Sequence, residues 1–155
     1  MVRYLKDNGF INRFWGYGSG SIENNFSTYE NIYSTDGYEP LHIKRYGELI
    51  SSSKNGKIAS PLSGADAYIE PGYGNIDLQQ NIYRKRLLDL LGVKYLLNKE
   101  DSLGRDFRQE NAFSKEFYRL VWQKFPWQIY ENKNALPRVF LASDYIVESD
   151  KNRII

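Results

Sequence analysis

The side chains here that could do chemistry are few and scattered. His42 is the single histidine. It falls in an amphipathic helical pattern, where an imidazole is ordinarily a surface group rather than a ligand or base. Asp36, Glu39 and Glu48 lie near one expected turn and one expected helix. Paired carboxylates are the equipment of glycoside hydrolysis, but an aspartate before a glycine, as Asp36 before Gly37, is also a turn former. The chain has no cysteine, which excludes disulfides, thiolate metal sites and a thiol nucleophile. Any metal would need an all-oxygen shell, and no calcium-loop spacing is present. Gly16-Tyr-Gly-Ser-Gly20 lacks the lysine and hydroxyl of a P-loop and the spacing of a dinucleotide fingerprint; it is read as a flexible strand exit. No nucleophile elbow with a plausible base is present. Arg138 follows Pro137, so its backbone is stiffened and its guanidinium can fork onto a carboxylate or phosphate. The competing reading pairs it with Glu131 or another local acid to hold a turn. These residues yield no catalytic group, no metal and no cofactor.

Composition narrows the class. A net charge of +2 supplies no basic field for a phosphate backbone, so no nucleic-acid partner is expected. Mean hydropathy is −0.60 and no apolar run is long enough to cross a bilayer, which predicts a soluble piece. Met1-Val-Arg-Tyr-Leu-Lys6 lacks the apolar centre of a signal peptide. Aromatic residues make up 15% of the chain, with thirteen tyrosines. They suit either the half-buried faces of strands or a groove that stacks sugar rings. The chain opens on strand-like material and stops at Lys151-Asn-Arg-Ile-Ile155 with no polar tail. That suggests one domain, residues 1–155, taken from something longer.

The elements that must position these groups follow from periodicity. Phe10–Tyr17 reads as a strand and 18–37 as loop, with Asn25-Phe-Ser27 matching a glycosylation acceptor pattern. Ile43, Tyr46, Leu49 and Ile50 have helical spacing after Pro40. Residues 51–75 read as a long, mobile loop with few apolar anchors. A second helix is expected from about Ile76 to Leu91, with Tyr83, Leu87, Leu90 and Leu91 on one face and Gly92 past its end. Val93–Leu97 is a strand apolar enough for burial on both faces. Asp101–Glu116 reads as loop with a helical turn. Tyr118–Phe125 and Trp127–Tyr130 are strands pivoting at Pro126, and Arg138–Val147 supplies a last strand. The expected class is α+β, with a mixed or antiparallel sheet and two main helices.

Three segments, in order, resemble one family. They are Thr35-Asp-Gly-Tyr-Glu-Pro-Leu41 with Arg45-Tyr46, Leu88-Asp-Leu-Leu-Gly-Val-Lys-Tyr-Leu-Leu97, and Ile129-Tyr-Glu-Asn-Lys-Asn-Ala-Leu-Pro-Arg-Val-Phe140. Together they are similar to the extracytoplasmic domain of bacterial YfhO-type polytopic membrane proteins, which resemble GT-C glycosyltransferases. Here Glu39 stands where the family pattern has aspartate after Tyr38. The resemblance implies a domain on the outer face of the cell membrane, attached to its own transmembrane body, with a cell-envelope glycan or polyprenyl-phosphate sugar as ligand. The catalytic carboxylate of such enzymes lies in the membrane body, so the domain alone is expected to be non-catalytic. Asp36, Tyr38, Tyr46, Asn132 and Arg138 carry over as candidate ligand-binding positions. The alternative function is a module that docks on that body or on an envelope partner without touching sugar.

Overall fold

The computed structural model describes residues 1–23, 25–38, 43–62, 66–70, 78, 80–100 and 112–154. The chain starts not with a strand but with helix α1, Val2–Gly9. Leu5 and Gly9, one helical turn apart, are its buried positions. Strand β1, Arg13–Gly16, follows. The 18–37 stretch, expected to be irregular, holds a 3-10 turn at Gly18–Gly20, a short helix α2 at Phe26–Glu30, strand β2 at Tyr33–Ser34 and the start of strand β3 at Gly37–Tyr38. Helix α2 is framed by Asn25 and Asn31, both in the left-handed region with φ of 67° and 54°. Asparagine tolerates that conformation better than other chiral residues, which is why both ends turn sharply.

Helix α3 spans Lys44–Ser51; Pro40 and His42 lie outside the described residues. In the stretch expected to be a mobile loop, Ser52, Ser53 and Ile69 are buried and Asp66–Ala67 forms strand β4, paired antiparallel with β3. Residues 63–65 and 71–75 lie outside the description. Helix α4 runs Ile82–Leu90; earlier in the expected Ile76–Leu91 span Leu78 and Gln80 are helical and Asn81 is not, and 76, 77 and 79 lie outside the described residues. Asn81 caps it, its Oδ1 accepting the Arg84 N–H at 3.0 Å. Its buried face is Arg84, Leu87 and Leu88, whereas Tyr83 and Leu90 are exposed. The buried face is thus rotated from the expected one. Arg84 is instead buried, with Nε donating to the Glu70 carbonyl at 2.6 Å.

Strands β5 (Val93–Lys99), β6 (Tyr118–Lys124) and β7 (Trp127–Asn132) complete the main sheet. Its order is β2-β1-β5-β7-β6. β1 is parallel to β2 and β5, and β7 is antiparallel to β5 and β6, so the sheet is mixed and the class α+β. The expected pivot at Pro126 is the two-residue link of the β6–β7 hairpin. β5 lies at the centre. One face of the sheet packs Trp15, Leu87, Leu88 and Leu96, and the other packs Leu5, Phe14, Leu97 and Ile129. That is why the β5 sequence is apolar without alternation.

The expected last strand, Arg138–Val147, does not form. After β7 the chain turns toward the start of β1, where the edge strand β2 is only two residues long and offers almost no ladder. Val139, Leu141, Tyr145, Ile146 and Val147 are left largely exposed. A short helix α5, Lys151–Ile154, closes the chain. Both expected helices are present, as α3 and α4, and among the described residues α1 is a further one of similar length.

Candidate functional site

Asp36 follows β2, and its Oδ1 accepts the Ile69 backbone N–H at 2.9 Å and the Thr35 hydroxyl at 3.3 Å. Through Ile69 it fastens the segment after β4 to the sheet. Burial pushes its carboxyl up to about 6, against the pull of those two donors. The remaining surface of Asp36 faces a cleft of about 10 Å³ that it shares with Glu23, Ser34 and Phe14. One water fits there; a sugar ring between two carboxylates does not.

Tyr46 projects from α3, and its hydroxyl donates to the Thr35 carbonyl at 2.6 Å. Burial raises its pKa, the nearby Asp36 charge raises it further, and Arg13 opposes both. Arg13, at the first position of β1, donates from Nη1 to the Leu91 carbonyl at 2.6 Å. It thus meets the C-terminal end of α4, where the helix dipole favours a cation. Burial depresses its pKa and the Arg138 charge depresses it again. Arg138 donates from Nη1 to the Ile11 carbonyl at 2.7 Å and lies over the Tyr33 ring, 4.7 Å from its centroid. The parallel register of β1 and β2 sets Tyr33 beside Arg13.

Three of the five positions carried over from the resemblance, Asp36, Tyr46 and Arg138, therefore fall along one connected line at the β2 edge. The other two do not join it. Tyr38 has its backbone held by Asn25, whose Nδ2 donates to the Tyr38 carbonyl at 3.1 Å and whose Oδ1 accepts the Tyr38 N–H at 3.2 Å. Its ring stays half exposed. Asn132 is 1% exposed and fully engaged. Its Nδ2 donates to Asp89 Oδ1 at 2.7 Å and to the Val93 carbonyl at 3.2 Å, and its Oδ1 accepts the Asn134 N–H at 3.1 Å. Arg138 does not pair with Glu131, as the turn-holding reading expects, because Glu131 is taken by Lys94 and Arg119. Arg13 and Tyr33 were missed. Only the strand register brings them to Arg138, and no local pattern announces a parallel pairing across twenty residues.

The Gly16–Gly20 segment is a tight packing element rather than a flexible exit. A Cβ on Gly16 would fall 2.3 Å from the Gly20 carbonyl oxygen, and one on Gly20 would fall 2.5 Å from that of Leu97. A larger cleft, about 450 Å³, lies between α3 and the C-terminal segment and is lined by Arg45, Glu48, Leu49, Ile58, Glu148 and Lys151. Lys151 bridges it to Glu48 at 2.9 Å. Among the described residues no helix is long and apolar enough to cross a membrane, and no group of three His, Cys, Asp or Glu side chains could hold a metal ion. Comparison of the chain with protein-family models, curated proteins and solved structures finds no match in any of the three.

Proposed function

We propose that the chain is the extracytoplasmic accessory domain of a membrane glycosyltransferase of the kind it resembles, non-catalytic by itself, holding a cell-envelope glycan or polyprenyl-phosphate sugar for its transmembrane body. One observation carries this reading. Asp36, Tyr46 and Arg138, spread over a hundred residues, converge on one edge of the sheet and are joined there by Arg13 and the half-exposed Tyr33. A ring with one open side beside polar donors is the usual composition of a sugar-holding surface. The separate cleft between α3 and the C-terminal segment is within the size range of small-ligand pockets. The test is saturation-transfer NMR with a short-chain polyprenyl-phosphate hexose and neutral envelope oligosaccharides. Transfer that is weakened by Tyr33→Ala supports the reading, and no transfer from any of these ligands refutes it.

A second reading, docking without sugar contact, draws on the exposed run from Val139 to Val147, in which Leu141 and Ile146 are 98% and 93% exposed. Apolar side chains this open generally mark a surface that something covers. A domain that binds no glycan, but is pulled down with its own membrane body only while 139–147 is intact, supports this reading over the first.

A further inference from the structure

We propose that Arg13 and Arg138 together form a binding site for a phosphate dianion, of the charge a phosphomonoester carries, at the β2 edge beside Tyr33. This deepens the proposed function, on which the carrier rests: a polyprenyl-phosphate sugar is a singly charged phosphodiester, whereas the polyprenyl phosphate freed of its sugar is the doubly charged monoester this site fits; the anion site itself is argued from the local geometry.

Among the described residues Arg3, Arg119 and Arg153 are neutralised by acids, by Asp7, Glu131 and Glu148 in turn. Arg13 and Arg138 differ. Among the described residues, neither guanidinium pairs with a carboxylate, and each spends its Nη1 on a peptide carbonyl instead. A guanidinium has five N–H donors, so each keeps several for a ligand. Arg138 lies over the ring of Tyr33, the strand partner of Arg13, and bonds the Ile11 carbonyl two residues before Arg13. Two uncompensated cations held together raise the free energy of the empty site, and a bound anion would remove that cost.

The groups are also held in place beforehand. The Leu91 carbonyl at the end of α4 fixes Arg13, and the Ile11 carbonyl with the Tyr33 ring face fixes Arg138. Little side-chain entropy is left to lose on binding. Charge selects among anions. A phosphomonoester carries about −1.5 to −2 near neutral pH and matches two guanidinium groups, whereas a carboxylate matches one. The fork geometry of arginine suits phosphate oxygens.

The experiment is a ¹⁵N NMR titration of the 155-residue chain at fixed ionic strength with inorganic phosphate, a hexose 1-phosphate and acetate. Phosphate should shift residues 11–13, 33 and 138 and bind about tenfold or more tightly than acetate. Arg138→Gln should weaken phosphate about tenfold or more at an unchanged melting temperature, because the side chain is exposed. Arg138→Lys, which keeps the charge and loses the fork, should fall between. Phosphate that shifts nothing at these positions overturns the proposal. So does acetate binding as tightly, or Arg138→Gln binding normally. Vesicles of phosphatidic acid tell a lipid headgroup from a sugar phosphate as the carrier. If inorganic phosphate binds and no glycan does, the anion site stands and the glycan-holding reading fails. If neutral oligosaccharides bind while phosphate does not, the reverse holds.

Discussion

At the scale of single residues, Asp36 has the clearest physical consequence. Its carboxyl is raised from 3.8 to about 6 by burial, so the folded chain holds that proton more tightly than the unfolded chain does. The ionised form therefore costs stability above about pH 6, and the cost fades as the pH falls from there toward 3.8. Asp36→Asn keeps an acceptor for the Ile69 N–H and the Thr35 hydroxyl and removes the charge. It should stabilise the chain at pH 7 by on the order of 2–3 kcal/mol and flatten the rise in stability between pH 7 and pH 5. Urea unfolding at the two pH values measures both effects; equal slopes in the two proteins would show that the carboxyl is not buried as described. The sequence marked Asp36 as a turn residue or part of a carboxylate pair. Its bond to Ile69, thirty-three residues on, depends on tertiary contacts that no turn signature encodes.

At the scale of elements, the α4–β5 unit was the most legible part of the chain and Asn132 among the least. Gly92 has φ of 63°, as the helix-then-strand pattern around it predicts. A Cβ there would also fall 2.9 Å from the Leu136 carbonyl oxygen. Gly92→Val should destabilise by about 2 kcal/mol or more, from left-handed strain and that clash together, and a lowered melting temperature checks it. Asn132, chosen from a motif as a ligand position, proves to tie three elements: Asp89 of α4, Val93 of β5 and the turn after its own strand β7. Asn132→Leu leaves Asp89 without that donor and should cost about 1–3 kcal/mol. Thermal unfolding of the double variant with Asp89→Leu separates the terms, because an energy smaller than the sum of the singles identifies the shared bond. Burial of such an amide could not be read from the sequence, since asparagine before a polar turn looks the same when solvated.

At the scale of the whole molecule, the α+β class followed from irregular alternation of helical and strand periods, and the mixed sheet agrees with it. The expected final strand shows the limit of that logic. Val139-Phe-Leu141 and Tyr145-Ile-Val147 have strand composition, but propensity needs a partner ladder and the nearest edge supplies two residues. The pairing of β1 with β5 has a further consequence, in time rather than space. These parallel neighbours are separated by some eighty residues, and even the turn after β1 is closed by β5, with Ser19 Oγ bonding the Lys99 carbonyl and the Tyr17 N–H bonding that of Leu97. A chain emerging from the ribosome or a translocation pore therefore cannot assemble its central strands until the second half has followed. A fragment ending at residue 91 should show no slow-exchanging amides in β1, whereas one ending at residue 136 should show them, and protection of β1 in the shorter fragment would contradict this. Until β5 arrives, Phe14, Trp15 and Tyr17 stay uncovered, so this stretch is where a holding chaperone would first engage the nascent protein.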